Sequence, residues 1–388
     1  MANELVVKLL DGIVDSLDIP ESYYQRAANR HRSLGEWLCR PESKVAIYNP
    51  HITPQGSFRY GTVTRPLNAD GEYDLDNVVT LTMPKTAMTQ QQLKTLFGAE
   101  IREYAKAHQM LSPIEEMNRC WRLHYSDEVT FHLDSLPGVA EEQSVIESIV
   151  GLGVSRELAK RAVAITDKRH PQYATISSKW LSSNPRGFAR WFEERTRSYA
   201  LPRLRRLVES RLYSSVEDVP AYKWKTPLQR SIQLLKRHRD VMFRQNPELA
   251  PISMILTNLA THAYNAEADI FAAVTGIVDR MPTFIRSGRP RVPNPADPAE
   301  DYADKWAKDA RLEQNFWTWH TQVKADLAVL PDLLRGDRLA GRVRQMFQLD
   351  LTQEQLRQFQ PVSPVVRSAA YSAPAIAISN PPRPWGAE

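Results

Sequence analysis

Apolar residues recur at helical spacing near the start of the chain. Four of them lie four residues apart and so share one helical face: Leu5, Leu9, Ile13 and Leu17. The pattern predicts a packing helix over residues 3–17, which ends before Pro20. A second helix is predicted over residues 21–39, with fewer apolar residues and more Arg, His and Gln. We interpret it as a spine that braces the structure.

The next part of the chain mixes strand and helix patterns. Segments rich in apolar and β-branched residues predict strands at 72–81, 119–125, 129–134, 162–168 and 171–177. Helical periodicity appears between the first two of these strands, at 89–109. We expect Pro137-Gly138 to end the third strand. The order of elements predicts a mixed sheet with helical cover.

From residue 183 onwards the pattern is helical and locally basic. A helix predicted over 227–240 buries three residues on one face: Leu228, Ile232 and Leu235. Beyond Pro361 the chain is rich in Pro, Ala and Ser, which predicts a mobile tail. We therefore divide the chain into three parts: a catalytic lobe with the spine helix (1–182), a helical lobe (183–360) and the tail (361–388).

Composition narrows the function classes without choosing among them. The 388 residues carry a formal net charge of +5, a mild excess that suits polyphosphate ligands as well as nucleic acid. The two cysteines, Cys39 and Cys120, form neither a disulfide framework nor a zinc motif. The sequence contains no apolar run long enough to cross a bilayer, and its acidic, helical N-terminal segment is not typical of a signal peptide. We expect a soluble, cytoplasmic protein.

Three acidic residues carry the main chemical signal. Asp74 and Asp76 lie two apart in a predicted strand, so both carboxylates emerge on one face of the sheet. Asp134 lies in another predicted strand, on the same face as Thr130 and His132. Paired carboxylates suit Mg²⁺, which is held by a few acids and completed by substrate phosphates. With a third acid, they could bridge two metal ions for displacement at phosphorus.

A Gly-Ser pair precedes the acidic strand. Gly56 allows the backbone to approach a ligand closely, and Ser57 offers a hydroxyl and adjacent N–H groups. Together with the three acids, the pair predicts a nucleoside triphosphate site.

These motifs resemble a known family. Gly-Ser-Phe-Arg-Tyr-Gly-Thr, Glu-Tyr-Asp-Leu-Asp-Asn and Phe-His-Leu-Asp-Ser-Leu-Pro, in this order, resemble the polymerase-β-type nucleotidyltransferases. Within these, the sequence is similar to the bacterial cGAS/DncV-like nucleotidyltransferases (CD-NTases) of CBASS anti-phage systems. The resemblance implies an α+β, bilobal fold: a polymerase-β-like lobe with a mixed sheet and helices, and a helical lobe like that of oligoadenylate synthase.

The resemblance also implies a reaction and its residues. The enzyme would join ribonucleoside triphosphates into a cyclic di- or trinucleotide second messenger, with two Mg²⁺ ions that Mn²⁺ can replace. Asp74, Asp76 and Asp134 would be the metal ligands, while Lys236 and Ser253 would contact nucleotide phosphates from the helical lobe. Ser253 could equally be an ordinary helix cap. Base specificity, linkage and ring size stay open.

Partners follow from the same resemblance. In related systems a ubiquitin-transfer-like enzyme acts on the synthase C-terminus, or a HORMA-type regulator docks on the synthase. The sequence does not choose between them. We expect neither a membrane nor a stably bound nucleic acid as a partner.

Two other functions remain open. An RNA 3′-terminal nucleotidyltransferase would use the same acids and need a basic groove, for which two clusters are candidates: Arg203 to Arg211 and Arg237 to Arg239. The first of these reads more simply as a solvated helix face. A non-catalytic scaffold with a degenerate lobe is the second alternative, and the presence of all three acids argues against it.

Two further residues could be mistaken for site residues. Asp167 resembles a metal ligand, but we expect it to pair with neighbouring Lys168 or Arg169. His132 shares a face with Asp134 and could reach the acceptor, although a packed strand histidine is the commoner outcome.

Overall fold

The computed structural model describes residues 2–68, 71–126, 130–196, 216–219, 224–334 and 338–359. The basic cluster from Arg203 to Arg211 and the predicted tail at 361–388 lie outside these ranges. Among the described helices, none is both long and apolar enough to span a membrane.

Helices occupy both ends of the described chain. In the first half they are α1 (Ala2–Leu17), α2 (Glu21–Cys39), α3 (Gly56–Tyr60), α4 (Gln90–Ala107), α5 (Gln143–Gly151), α6 (Arg156–Ala159) and α7 (Pro185–Thr196). In the second half they are α8 (Pro227–Met242), α9 (Ser253–Ala263), α10 (Ile270–Arg280), α11 (Ala310–Ala328), α12 (Leu330–Leu333), α13 (Leu339–Phe347) and α14 (Gln353–Phe359). The predicted helices at 3–17, 21–39 and 89–109 are thereby confirmed.

The strands lie almost entirely in the first half. They are β1 (His51–Gln55), β2 (Tyr73–Leu81), β3 (Glu115–Glu116), β4 (Trp121–Ser126), β5 (Thr130–Ala140), β6 (Val163–Ile165), β7 (Leu181–Ser183), β8 (Pro293–Asn294) and β9 (Asp297–Asp301). The first seven form one sheet in the order β1-β2-β5-β4-β3, with β6 paired to β5 and β7 to β6. β2 and β5 are parallel, whereas the other pairs in this sheet are antiparallel. The predicted mixed sheet is confirmed.

Two strand predictions were wrong. Residues 171–177 form turns, and the partner of β6 is β7 at Leu181–Ser183. β5 does not end before Pro137-Gly138 but continues to Ala140. The antiparallel partner of β5 changes there from β4, whose register reaches Ser135, to β6, whose register starts at Gly138. Pro137, which has no N–H to donate, therefore lies in the gap between two partners.

Among the described residues, two large hydrophobic cores and two small ones stabilise the fold. One of the large cores packs α2 and α4 against the sheet and contains Phe58 and Phe97, both fully buried. The other gathers the helices of the second half, and α1 contributes to it through residues such as Leu10. The short helix α3 joins the two cores, since Phe58 lies in the first and Tyr60 in the second. The predicted α+β architecture is thereby confirmed, while the predicted lobe boundaries stay a prediction.

Candidate active site

Strand register brings the acids of the polar sheet face together. In the parallel pair of β2 and β5, Asp76 lies beside Asp134, and in the antiparallel pair of β5 and β4, Asp134 lies beside Arg122. These three residues form what we call the acid row. The opposite face of the same strands is apolar, as with Leu75 and Leu133, both fully buried. Alternation along each strand thus separates the core from the site.

A second row lies two residues away on the same face. Asp74 is in register with His132, and His132 with His124, across the same three strands. We call this the histidine row. His132 Nε2 lies 3.0 Å from Asp74 Oδ1, so His132 contacts a predicted metal ligand instead of packing in the core.

Gly56 allows the Gly-Ser segment to approach the acid row. Its φ is +69°, in the left-handed region that favours glycine, and a Cβ atom there would lie 2.1 Å from Asp76 Oδ2. β1 ends at Gln55, which is in register with Asp76, and α3 begins at the next residue. The chain therefore turns directly over the Asp76 carboxylate, with Ser57 in the first turn of α3.

Negative charge is concentrated at Asp76. The pKa of Asp76 is raised to about 8, first by burial and then by the nearby carboxylates of Asp74 and Asp134, against the opposing charges of Arg122 and Lys236. The pKa of Asp74 is also raised, by desolvation first, with His132 acting in the opposite direction. Asp134 instead accepts two hydrogen bonds from Arg122, each 2.7 Å long. Among the described side chains, Asp76 has no ion-pair partner, so a cation there would relieve unfavourable burial.

Helix α8 faces the acid row with a buried cation. A capping box between Thr226 and Gln229 starts the helix, in which each side chain accepts a hydrogen bond from the backbone N–H of the other residue. Lys236 lies two turns further on and donates to both the carbonyl oxygen and Oγ1 of Thr62 at 3.2 Å. The pKa of Lys236 is lowered to about 7, first by burial and then by the adjacent positive charge of Arg239. An anionic ligand would favour its charged form.

Ser253 starts α9 on the same side. Its hydroxyl accepts a hydrogen bond of 3.0 Å from Arg239 Nη1, and its side chain makes no capping bond at this helix start. Ser253 is therefore not the cap of this helix, and its predicted contact with a nucleotide phosphate stays a prediction.

One cleft of about 470 Å³ collects most of these residues. All of the residues predicted for the site line it except Asp134: Gly56, Ser57, Asp74, Asp76, Lys236 and Ser253. Asp134 lies behind them, next to Asp76 on the sheet. The arrangement combines oxygen donors for a hard cation with a cationic wall for phosphates. These acids form a possible metal site.

Two residues of the site are not apparent from the sequence. Arg122 reaches it through the register of β4 and β5. Glu300 also lines the cleft. Its carboxylate accepts hydrogen bonds from Ser183 and Asn294. Burial raises its pKa. Its position follows from the packing of β9 on β7, which no local pattern specifies.

Asp167 forms an ion pair, as predicted, but with a different partner. Its carboxylate accepts hydrogen bonds of 2.8 Å from Arg119 Nε and 2.7 Å from Asn118 Nδ2. The side chain of Lys168 pairs with Glu116, and Arg169 contributes only its backbone N–H.

Comparison with known proteins agrees with this geometry. Residues 50–137 match the family model of the nucleotidyltransferase domain of cyclic GMP-AMP synthase DncV-like proteins. The chain is 29% identical over 308 residues to a c-di-GMP synthase of Roseivirga ehrenbergii, covering 78% of this chain and 74% of the relative. The chain thus contains a nucleotidyltransferase domain of the cGAS/DncV-like (CD-NTase) type. The family resemblance seen in its motifs is thereby confirmed.

Other relatives of this protein extend over nearly the whole chain. The cyclic dinucleotide synthase CdnG of Bradyrhizobium diazoefficiens is 25% identical over 406 aligned positions, covering 93% of this chain and 90% of CdnG. The structure of CdnG in complex with GTP superposes with a TM-score of 0.66 at 20% identity, covering 92% and 98% of the two chains. Vibrio cholerae DncV with a linear intermediate gives a TM-score of 0.54 at 15% identity, covering 90% and 87%. These structural matches support the bilobal fold.

Proposed function

We propose that this protein joins ribonucleoside triphosphates into a cyclic di- or trinucleotide and releases pyrophosphate. The observation that carries the proposal is a single cleft with carboxylates on one wall and the buried cation of Lys236 on the other. A nucleoside triphosphate needs both, since its phosphates are bound through divalent cations and through cationic side chains. The names of the two relatives in sequence favour a dinucleotide product.

The donor set fits magnesium. Asp74, Asp76 and Asp134 offer only oxygen atoms. The pKa of Asp76 is raised first by burial and then by the charges of the other two acids, and a bound cation would offset both effects. These three acids would hold two Mg²⁺ ions, with Mn²⁺ as a substitute. When bound, the ions supply charge neutralisation and a lowered pKa for the attacking hydroxyl.

The remaining roles belong to the chain itself. Gly56 and Ser57 would seat the donor triphosphate, because the backbone passes directly over Asp76 there. Lys236 would neutralise phosphate charge, and Ser253, oriented by Arg239, would donate to a phosphate oxygen. Asp134 is the simplest acceptor for the proton of the attacking ribose hydroxyl. Arg122 holds both of its oxygens and so fixes its orientation. Positioning and charge neutralisation would account for most of the rate.

RNA tailing is less well supported. Of the basic residues that suggested it, Arg237 donates to the carbonyl of Arg65 and Arg239 is bonded to Asp240 and Ser253. Both are buried. Neither is presented to solvent as part of a groove that could follow an RNA backbone.

We assign the product a role as second messenger in cytoplasmic anti-phage defence. The assignment rests on the family. An accessory protein, either a ubiquitin-transfer-like enzyme acting on the C-terminus or a HORMA-type regulator, would be its partner. Co-expression with each class of accessory protein, followed by mass analysis of the synthase C-terminus and by co-purification, distinguishes them.

The reaction is tested by incubating purified protein with all four ribonucleoside triphosphates and Mg²⁺ or Mn²⁺. After phosphatase treatment, products are identified by mass. We expect a phosphatase-resistant di- or trinucleotide that is absent with Asp74→Ala/Asp76→Ala. Extension of an added RNA by the wild type, without a cyclic product, would contradict the proposal in favour of the terminal transferase.

A further inference from the structure

The histidine row contains more potential ligands than the proposed reaction uses. His124, on β4, is in register with His132 on β5, and their rings lie 5.5 Å apart at an angle of 89°. Glu72 lies just before β2, on the same side as Asp74. One ligand atom from each of Glu72, His124 and His132 falls within 4.8 Å of the other two. This spacing is close to what one metal ion requires.

One atom of this group is left without a proper partner. His132 Nδ1 is buried and has no hydrogen bond among the described residues. Glu72 Oε2 lies only 2.6 Å away, yet the contact lacks hydrogen-bonding geometry. The buried ring nitrogen of His132 thus faces the carboxylate of the exposed Glu72 without a hydrogen bond, and both groups are ligand types that a common cation could bind.

The donor types select the kind of metal. Imidazole nitrogen suits zinc and the other late first-row transition metals, whereas magnesium prefers oxygen alone. Two histidines and one carboxylate, with one position open, form the ligand set of many zinc sites in enzymes. We propose that Glu72, His124 and His132 bind a transition-metal ion, with Zn²⁺ as the favoured occupant, at a site separate from the acid row.

The site is connected to Asp74 through His132. A histidine that ligates a metal with one ring nitrogen commonly donates the other N–H to a carboxylate. Here the second nitrogen, Nε2, is 3.0 Å from Asp74 Oδ1. His124 has a similar neighbour, since its Nε2 lies 3.0 Å from Glu115 Oε1. A metal ion on Nδ1 of His132 would therefore fix the tautomer of this histidine and hold Asp74 in one orientation.

The test measures binding, so it does not depend on the proposed reaction. The metal-free full chain is titrated with ZnCl₂ by calorimetry and with CoCl₂ by visible absorption, both in excess Mg²⁺. We expect one site, with a Co²⁺ spectrum of nitrogen coordination. His124→Gln and Glu72→Gln should each weaken Zn²⁺ binding at least about tenfold.

Two control variants separate this site from other sources of zinc binding. His108→Gln removes an exposed histidine at the C-terminal end of α4, outside the proposed site, and should bind Zn²⁺ as the wild type does. Asp76→Asn removes the buried acid of the acid row and should also retain the site. Equal affinity in the wild type, His124→Gln and Glu72→Gln would overturn the proposal. Loss of binding in Asp76→Asn alone would do the same, since the ion would then occupy the acid row.

Discussion

Gly56 shows how one residue can decide whether the site forms. Two constraints meet there. The backbone is in the left-handed region, and a Cβ atom at this position would lie only 2.1 Å from Asp76 Oδ2. Gly153 has a φ of +91° but nothing within 4 Å of its Cβ position, so it carries the first constraint without the second. The two glycines therefore separate backbone strain from crowding of the carboxylate.

We predict that Gly56→Ala abolishes product formation, while Gly153→Ala leaves it unchanged. Each substitution should lower the free energy of unfolding by about 1–2 kcal/mol through backbone strain, and Gly56→Ala should cost more because Asp76 must move. Steady-state kinetics and denaturant unfolding check both effects. Full activity in Gly56→Ala would mean that the turn over Asp76 is not needed.

The protonation of Asp76 makes the stability of the folded protein depend on pH. Its pKa is 3.8 ordinarily and about 8 in the folded protein, so the folded state holds a proton that the unfolded state releases. The stabilisation from this proton is fully present below pH 3.8 and is lost as the pH rises through about 8. Lys236 acts in the other direction, because its lowered pKa reduces stability as pH falls towards 7.

Asp76→Asn should remove the pH dependence that comes from Asp76 and leave the one that comes from Lys236. We expect metal-free Asp76→Asn to melt at the same temperature as the wild type near pH 4 and at a higher temperature at pH 8. The advantage is on the order of a few kcal/mol, from the conversion of pKa shifts to free energy. Mg²⁺ should then stabilise the wild type but not the variant. Melting curves that stay parallel across this pH range would refute the assignment.

At the scale of elements, α8 holds the segment that lines the cleft. Three of its side chains donate to backbone carbonyls at the end of α3 and just after it: Gln229 to Tyr60, Gln233 to Val63 and Arg237 to Arg65. They lie on one helical face because their spacing is four residues. The helix thereby positions Lys236 and the opposite cleft wall with a single set of contacts.

We predict that Gln233→Ala destabilises the protein by about 1–3 kcal/mol, since it leaves the Val63 carbonyl buried without its donor. Val63 lines the cleft, so KM for the nucleotide should rise as well. Gln314→Ala, on the exposed face of α11, is the matched control and should change neither quantity. Thermal melts and initial rates provide the measurements. An unchanged KM in a destabilised Gln233→Ala would show that α8 supports the fold without shaping the cleft.

At the scale of the whole molecule, α1 belongs to the helical core although it precedes the sheet in sequence. Arg230 on α8 pairs with Asp11 and Asp15 of α1, and Leu10 is fully buried in the same core. α2 packs instead with the sheet. The first two helices therefore connect the two cores across the cleft.

Leu10→Ala should lower the free energy of unfolding by about 2–5 kcal/mol, because it opens a cavity in the helical core. Leu111→Ala removes the same atoms from a side chain that is 100% exposed and should change stability little. Denaturant titrations of both variants give the comparison. Equal stability of the two variants would place α1 outside the cooperative core.

Local spacing was enough to identify the acids and the glycine of the site. Asp74 and Asp76 had to share a face because strand side chains alternate, and Gly56 was recognisable from its place before the acidic strand. Asp134 was found in the same way. Helical periodicity likewise identified α1, α2, α4 and α8.

Contacts between segments far apart in the chain could not be predicted from local spacing. Arg122 pairs with Asp134 only through the register of β4 and β5, and Glu300 reaches the cleft only because β9 packs on β7. The histidine row needed the registers of three strands at once. Arg119, the partner of Asp167, is 48 residues away in sequence, so the prediction of a pair with Lys168 or Arg169 was wrong.

Sequence alone therefore determined which residues are candidates for the chemistry and which face of each strand or helix they occupy, because alternation and helical period are local properties of the backbone. The tertiary structure decided which of these faces meet. It set the partners of each acid, the burial that raises the pKa of Asp76 and lowers that of Lys236, and the closeness of His124 to His132. Register and desolvation arise only when segments far apart in the chain pack together.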